Sequence, residues 1–382
     1  MRILADENMP LVRELFEAHG DIELRPGRQI RAEHLHDKEV LLVRSVTRVD
    51  AELLSESALK FVGSATIGND HIDRHLLQQR GIAFANAPGC NANAVAEYVI
   101  ACLDEMQRRG VFNPDQHAIA IIGYGNVGKR LAQKLLALGW SFVVHDPPLL
   151  ATGFTDASVR FVNKAEALQA QVVSLHIPLQ KQEPWSTRHW IGEAELRDGK
   201  FHLLLNTCRG PVVDNQALLQ WLHASSQHQA VLDVWEHEPN VDADLLAKVA
   251  IATPHIAGYS LEGKTNGSFA VYQAFCKHFA LSADIPEHLQ LPVPARFALP
   301  ATAVSASQIN QQLLGFLREL YLPTQDDRRM REALTTADDV AVAFDLLRKQ
   351  YPVRRELYSA VIEASAAICA CYANMASMLP RV

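Results

Sequence analysis

The stretch "AIAIIGYGNVGKRLAQKLLALG", residues 118–139, decides the fold. Ala118 to Ile122 read as a strand. Gly123, Gly125 and Gly128 follow at G-x-G-x-x-G spacing, and an amphipathic helix opens at once. The first glycine permits a tight turn, the second lets the backbone approach a pyrophosphate, and the third allows close helix–strand packing. The helix N-terminus then offers N–H groups and a favourable dipole to the anion. Asn126 and Val127 belong to this turn. The next apolar run, "FVVHD" (142–146), ends in Asp146, about 20 residues on, where the ribose-binding acid of a dinucleotide site belongs. A carboxylate there accepts hydrogen bonds from ribose hydroxyls and repels a 2′-phosphate, which favours NAD over NADP. Asp146 also reads as a cap before Pro147.

Working outward, strand-like runs continue at "VVSLH" (172–176), "LLLNT" (203–207), "AVLDV" (230–234) and 250–252. Upstream, "RILA" (2–5), "VLLVRS" (40–45) and "FVGSAT" (61–66) form a second alternating series, separated by helix-like spacing. A helical stretch, "NAVAEYVIACLDEMQRR" (93–109), joins the two. Strands alternating with helices predict parallel sheets. After residue 281 the proline-rich "LQLPVPARFALP" reads as a linker into a further unit.

Composition sets the outer bounds. At 382 residues, 48% hydrophobic and 21% charged, the chain has material for two or three soluble domains. A net charge of −7 gives no footprint for a nucleic-acid partner. The acids in "MRILADENMP" do not suit a signal peptide, and no apolar run approaches a membrane span. The six cysteines show no zinc spacing, so no metal site is expected, and a cytoplasmic location with reduced thiols is the simplest reading.

Three segments then fall at the carboxyl ends of consecutive strands. "NTCRG" places Arg209, "LDVWEHEP" places Asp233 and Glu238, and "TPHIAG" places His255. Open α/β sheets bind ligands beyond these ends. Oxidising a hydroxy acid moves a hydride to nicotinamide and a proton to a base. His255 can take the proton. Glu238 can bond the other ring nitrogen, and Arg209 can grip a carboxylate with its planar fork. Taken singly, each residue also reads as an ordinary surface pair or a satisfied histidine. His71 reads mainly as a capping residue. His176 ends a strand near the expected nicotinamide side and is a candidate to line the cofactor.

"GYGNVG" with Asp146, "SLHIPL", "NTCRGPVVDNQALL", "LDVWEHEP" and "TPHIAGYSLEGK" together resemble the D-isomer-specific 2-hydroxyacid dehydrogenases. The resemblance covers nearly the whole chain. It implies a catalytic trio of Arg209, Glu238 and His255. It implies NAD contacts from Asn126, Val127, Asp146, Ile177, Thr207, Cys208, Arg209, Asp233 and Gly258, and substrate contacts from Ser45, Thr66 and Tyr259. Where Ile177 stands the family often has threonine, so only backbone contact to NAD is expected there. Segments such as "ILADENMP", "VRSVTRVD" and "FDLLRKQYPVRRE" point to a branch whose substrate is a phosphorylated hydroxy acid. The phosphate needs its own donors, for which Arg44 and Ser45 are candidates.

The expected architecture is α/β: two Rossmann-like parallel-sheet domains around a cleft, plus a small C-terminal α/β dimerisation domain. Residues 1–92 with 258–281 would form the substrate-binding lid, 93–257 the NAD domain, and 286–382 a unit that hides apolar segments such as "QLLGFLRELYL" against a second copy. The basic cluster Arg348, Lys349, Arg354 and Arg355 reads as a solvated helix face, or as a source of one arginine that enters the partner's cleft. Two other functions stay open: oxidation of a different hydroxy acid such as 3-phosphoglycerate, and a corepressor-like NAD sensor that binds protein partners.

Overall fold

The computed structural model describes residues 1–382 apart from 181, 286–288, 290–292, 301–304 and 364–382. The chain divides into two compact units. One takes residues 1–91 and 260–293; the other takes 92–259 and the chain from 294 on. Among the described residues no helix is long and apolar enough to cross a membrane.

The first unit is built on β1 (Arg2–Asp6), β2 (Asp21–Arg25), β3 (Val40–Val43), β4 (Phe61–Ser64) and β5 (Ala83–Asn86). They form a parallel sheet in the order β2-β1-β3-β4-β5. The three strands read from the sequence are β1, β3 and β4. The edge strands "DIELR" and "AFAN" escaped that reading because neither contains a fully buried residue, and half-covered edges carry a weaker apolar signal. Phe16, Phe61 and Phe275 pack on one face; Leu35, Leu41 and Leu77 pack on the other. The returning helix Leu261–His278 is capped by Ser260, whose Oγ accepts from the Gly263 N–H at 2.8 Å. It runs over β4 and β5. The approach is so close that a Cβ on Gly63 would lie 2.4 Å from Val271 Cγ1.

The second unit holds β6 (Ile119–Ile122), β7 (Phe142–His145), β8 (Val172–Leu175), β9 (Leu203–Asn206), β10 (Gln229–Leu232) and β11 (Ile251–Ala252). All pair in parallel, in the order β11-β10-β9-β8-β6-β7. Successive side chains alternate between two cores. Ile119 and Ile121 join one with the helices Ala92–Arg108 and Asn126–Leu138, while Ala120 and Ile122 join the other with Leu218 and Trp221. After β7 the chain crosses to the far side of β6. That reversal places a ligand-binding crevice at the carboxyl ends of β6 and β8.

The sequence reading set residues 286–382 apart as a third domain; in the structure the described residues from 294 on pack with the second unit. The cause is burial. The helix Ala306–Leu320 places Ile309, Leu313 and Leu317 in the core shared with Ala92–Arg108. Met330, Leu334 and Phe344, from the helices Pro323–Thr336 and Val340–Lys349, enter the opposite core. The "QLLGFLRELYL" segment is therefore covered largely by its own chain. Polar ties add to this. Arg318 binds both oxygens of Asp104 at 2.8 and 2.9 Å, and Arg331 donates to the carbonyls of Leu246 and Val249. A short parallel pair, β12 (Arg296–Ala298) with β13 (Val361–Glu363), closes the described tail. The last stretch, from Ala364, lies outside the described residues.

Candidate active site

The glycine-rich turn follows β6, and Asn126, Val127 and Gly128 open the helix Asn126–Leu138. Each glycine has its own reason. Gly123 sits at φ 96°, and a Cβ there would meet the His176 carbonyl oxygen at 2.6 Å. A Cβ on Gly128 would fall 2.0 Å from the Gly123 carbonyl oxygen. Gly125 differs: its φ of −78° suits any residue, and a Cβ would touch nothing within 4 Å. Neither conformation nor packing demands glycine at 125, whereas a ligand brought against the backbone would. No acidic residue occupies the first turn of the helix, so the dipole faces the space unopposed. These residues fit a dinucleotide pyrophosphate.

Asp146 follows β7 and ties the turn down. One carboxylate oxygen accepts from the Tyr124 N–H at 2.7 Å, and the other caps the Leu149 N–H at 3.0 Å. The capping reading is realised, and each oxygen retains a second lone pair for a ribose hydroxyl. Ile177 follows β8 and packs against the turn, its Cγ2 2.9 Å from the position of a Gly123 Cβ. His176 is held between Ser174 Oγ at 2.9 Å and Thr207 Oγ1 at 3.3 Å. Burial lowers its pKa to about 3, so it is neutral at any ordinary pH. It can line a ligand but cannot exchange protons with it.

Beyond β9, Asn206 organises the turn that carries Thr207, Cys208 and Arg209. Its Nδ2 donates to the Arg209 carbonyl, and its Oδ1 accepts from the Cys208 N–H. Burial raises the Cys208 thiol to about 11, so it stays protonated. Gly210 comes next, where a Cβ would lie 1.8 Å from the Trp235 carbonyl oxygen. Only glycine lets this turn press against the loop after β10, and that contact brings Arg209 beside the segment bearing Glu238.

Asp233 anchors the last loop from below. It is 1% exposed, and its carboxylate accepts from Thr253 Oγ1 at 2.6 Å and from the Ile256 and Ala257 N–H groups at 2.8 and 2.9 Å. Burial raises its pKa against these donors. The His255 N–H bonds the Asp233 carbonyl at 2.7 Å. Clamped on both sides, His255 adopts φ 57°, a left-handed conformation that is uncommon outside glycine and clusters at functional sites. Its Nδ1 lies 2.8 Å from Glu238 Oε2, while Glu238 Oε1 accepts from the Trp235 N–H at 2.8 Å. Burial alone would raise the Glu238 pKa. The charge and hydrogen bond of His255, the Trp235 N–H and the nearby charge of Arg348 outweigh it, and the net shift is downward. Gly258 and Tyr259 complete the loop. Tyr259 Oη accepts from Arg348 Nη2 at 3.0 Å.

The substrate candidates of the first unit have their own settings. Arg44 forks onto the buried Asp6 carboxylate, with Nε–O and Nη2–O distances of 3.0 and 3.3 Å. Ser45 follows β3. Thr66 bonds Ser64 Oγ and the Gly68 carbonyl. His71 contacts Ser64 Oγ through Nε2 at 3.0 Å.

Residues 98–257 match the family model described as "D-isomer specific 2-hydroxyacid dehydrogenase, NAD binding domain". Residues 294–375 match one described as a "Domain of unknown function (DUF3410)". Among solved structures, the NAD-bound 3-phosphoglycerate dehydrogenase of Entamoeba histolytica shares the fold. It has a TM-score of 0.61 at 24% identity, with 76% of this chain and 99% of that one covered. The chain is 43% identical to the erythronate-4-phosphate dehydrogenase of Marinobacter nauticus, over 95% of this chain and 94% of that one. With the enzyme of the same name from Azotobacter vinelandii it shares 44% identity, over 94% and 93%. The chain belongs to the erythronate-4-phosphate dehydrogenase family. Its NAD-binding domain is that of the wider 2-hydroxyacid dehydrogenases.

Several residues of this family member escaped the sequence reading. Thr253 links Asp233 to Tyr98, whose hydroxyl lies 2.8 Å away. The Trp235 indole N–H donates to the Thr253 carbonyl. Arg354, from the tail, donates to the carbonyls of Ala94 and Ala257 and lies over the Tyr321 ring at 4.5 Å. The only sequence signal for these was proximity to "TPHIAG" or membership of a basic cluster. Neither says which partner a side chain will find.

Proposed function

We propose that this chain oxidises 4-phospho-D-erythronate with NAD to 2-oxo-3-hydroxy-4-phosphobutanoate, a step of pyridoxal 5′-phosphate (vitamin B6) biosynthesis. The observation that carries the reading is the Glu238–His255 pair beside the turn of Arg209, at the carboxyl ends of strands in an NAD-binding sheet. The names of the relatives supply the substrate. Bound NAD, held by the glycine-rich turn, Asp146 and the loops after β8 to β10, would supply the hydride acceptor.

The protein's own groups handle the proton and the charge. An ionised Glu238 accepts only, so the His255 nitrogen facing it, Nδ1, carries the hydrogen. Nε2 then holds the lone pair and takes the proton from the C2 hydroxyl. Glu238 stabilises the imidazolium that results. Arg209 grips the substrate carboxylate and polarises the new carbonyl. Arg44, Ser45, Thr66 and Tyr259 are the proposed substrate contacts, Arg44 being paired with Asp6.

We also place the enzyme in the cytoplasm as a homodimer formed through the tail. Exposed Val342, Leu346, Val353 and Val361 support that association, since apolar side chains gathered on one segment favour a second copy. The function is tested by following NADH formation with 4-phospho-D-erythronate, D-erythronate and 3-phosphoglycerate. The phosphorylated erythronate should give the highest kcat/KM. Preference for 3-phosphoglycerate, or no NADH with any of them, contradicts the reading.

A further inference from the structure

Arg348 stands in the last turn of the helix Val340–Lys349, inside the segment matched to a domain of unknown function. The sequence offered it as a solvated residue or as a contact in a partner's cleft. In the structure it reaches the loop of His255 and Tyr259 in its own chain. Nη2 donates to Tyr259 Oη at 3.0 Å, and the guanidinium lies 5.6 Å from the Tyr259 ring centroid. The charges of Glu238 and Asp345 reach it, but among the described residues neither carboxylate bonds it, and its Nε is buried without a hydrogen-bond partner. Glu238 feels its charge, yet the Glu238 oxygens are engaged by His255 and the Trp235 N–H.

A buried guanidinium N–H without an acceptor is costly, and native proteins rarely leave one so. An anionic ligand removes the deficit, and the planar fork of arginine suits phosphate oxygens. Arg209 already serves the carboxylate end of the proposed substrate, which leaves the phosphate end to be matched. We propose that Arg348, acting within its own chain and beside Tyr259, binds the substrate phosphate and sets the preference for a phosphorylated hydroxy acid. This inference rests on the function proposed above. It also gives the tail a role at the active site.

The test uses the full-length protein, with Arg348→Gln and Arg348→Lys compared to the unaltered chain. The readouts are KM for 4-phospho-D-erythronate, KM (or Ki where turnover is slow) for D-erythronate, and the calorimetric Kd of inorganic phosphate in the presence of NAD. Arg348→Gln should raise KM for the phosphorylated substrate about tenfold or more, the loss of a charge-assisted contact. D-erythronate should be nearly unaffected, and phosphate binding should weaken in step. Arg348→Lys, which keeps charge without the fork, should fall between and serves alone if the glutamine variant does not fold. Equal changes for both substrates, or an unchanged phosphate Kd, would overturn the proposal and leave Arg348 a support for Tyr259. If the unaltered protein makes no NADH from 4-phospho-D-erythronate, the proposed function fails, and the phosphate Kd still decides whether Arg348 binds the anion.

Discussion

At the scale of single residues, the proposed chemistry rests on His255, which its surroundings hold in an unusual backbone conformation. The substitution His255→Asn is well suited to test it, because asparagine tolerates the left-handed region and should leave the loop intact. The variant should lose roughly 10²–10⁴ in kcat, the usual worth of a general acid–base, with NAD affinity little changed. Near-normal turnover would remove His255 from the mechanism. Glu238→Gln keeps a hydrogen-bonding group and removes the charge that supports the imidazolium. In the oxidative direction the base must be neutral, so the acidic limb of the pH–rate profile should move to lower pH. His176, held near 3 by burial, does not titrate in that window and cannot blur the limb. An unmoved limb would mean that Glu238 does not act on His255. The pairing of Glu238 with His255 was legible in the sequence, since strand-end positions and residue chemistry coincide. The support was not. Asp233 was read as a cofactor contact, and no local rule connects it to the N–H groups of Ile256 and Ala257 that it holds.

Elements show the same division. Strands buried on both faces, such as "VLLV" and "LLLN", declare themselves as apolar runs. Edge strands such as "DIELR" acquire their pairing from a neighbour and carry little signal alone. The glycine-rich turn was legible as a motif, but the structure separates glycines whose Cβ would clash with the fold, at 123 and 128, from Gly125, whose Cβ would meet nothing. Gly128→Ala forces a Cβ against the Gly123 carbonyl and should lower the thermal midpoint by several degrees. Gly125→Ala places its methyl group in open space. It should melt within about 2 °C of the unaltered protein, since exposed changes cost little, yet bind NAD at least about tenfold more weakly, roughly 1.4 kcal/mol. Thermal melts and NAD titrations of both variants check the pair. Equal destabilisation, or unchanged NAD affinity in Gly125→Ala, would mean that position 125 is not a cofactor contact.

Across the whole molecule, composition and alternation were enough to foretell two parallel α/β sheets, and the proline-rich stretch after residue 281 suggested a third unit. The tail comes back onto the second unit, where Glu97 gathers Asn93, Lys134 and the N–H groups of Leu357 and Tyr358. Contacts between residues more than two hundred positions apart leave no trace in local pattern. Among the described residues much of the tail's apolar surface is thus covered within the chain, and the proposed dimer would draw on those that stay exposed, among them Val342, Leu346, Val353 and Val361. Sedimentation at micromolar concentration should report twice the chain mass, and Leu346→Glu with Val353→Glu should shift it toward one; a monomer from the outset would refute the dimer. In the proposed reaction a hydride leaves C2 of a phosphorylated hydroxy acid for NAD. The most direct measurement supplies 4-phospho-D-erythronate deuterated at C2 and weighs the dinucleotide by mass spectrometry. One deuterium should appear in the NADH formed, matched to the 2-oxo acid released. Unreduced dinucleotide, or NADH without deuterium, would contradict it.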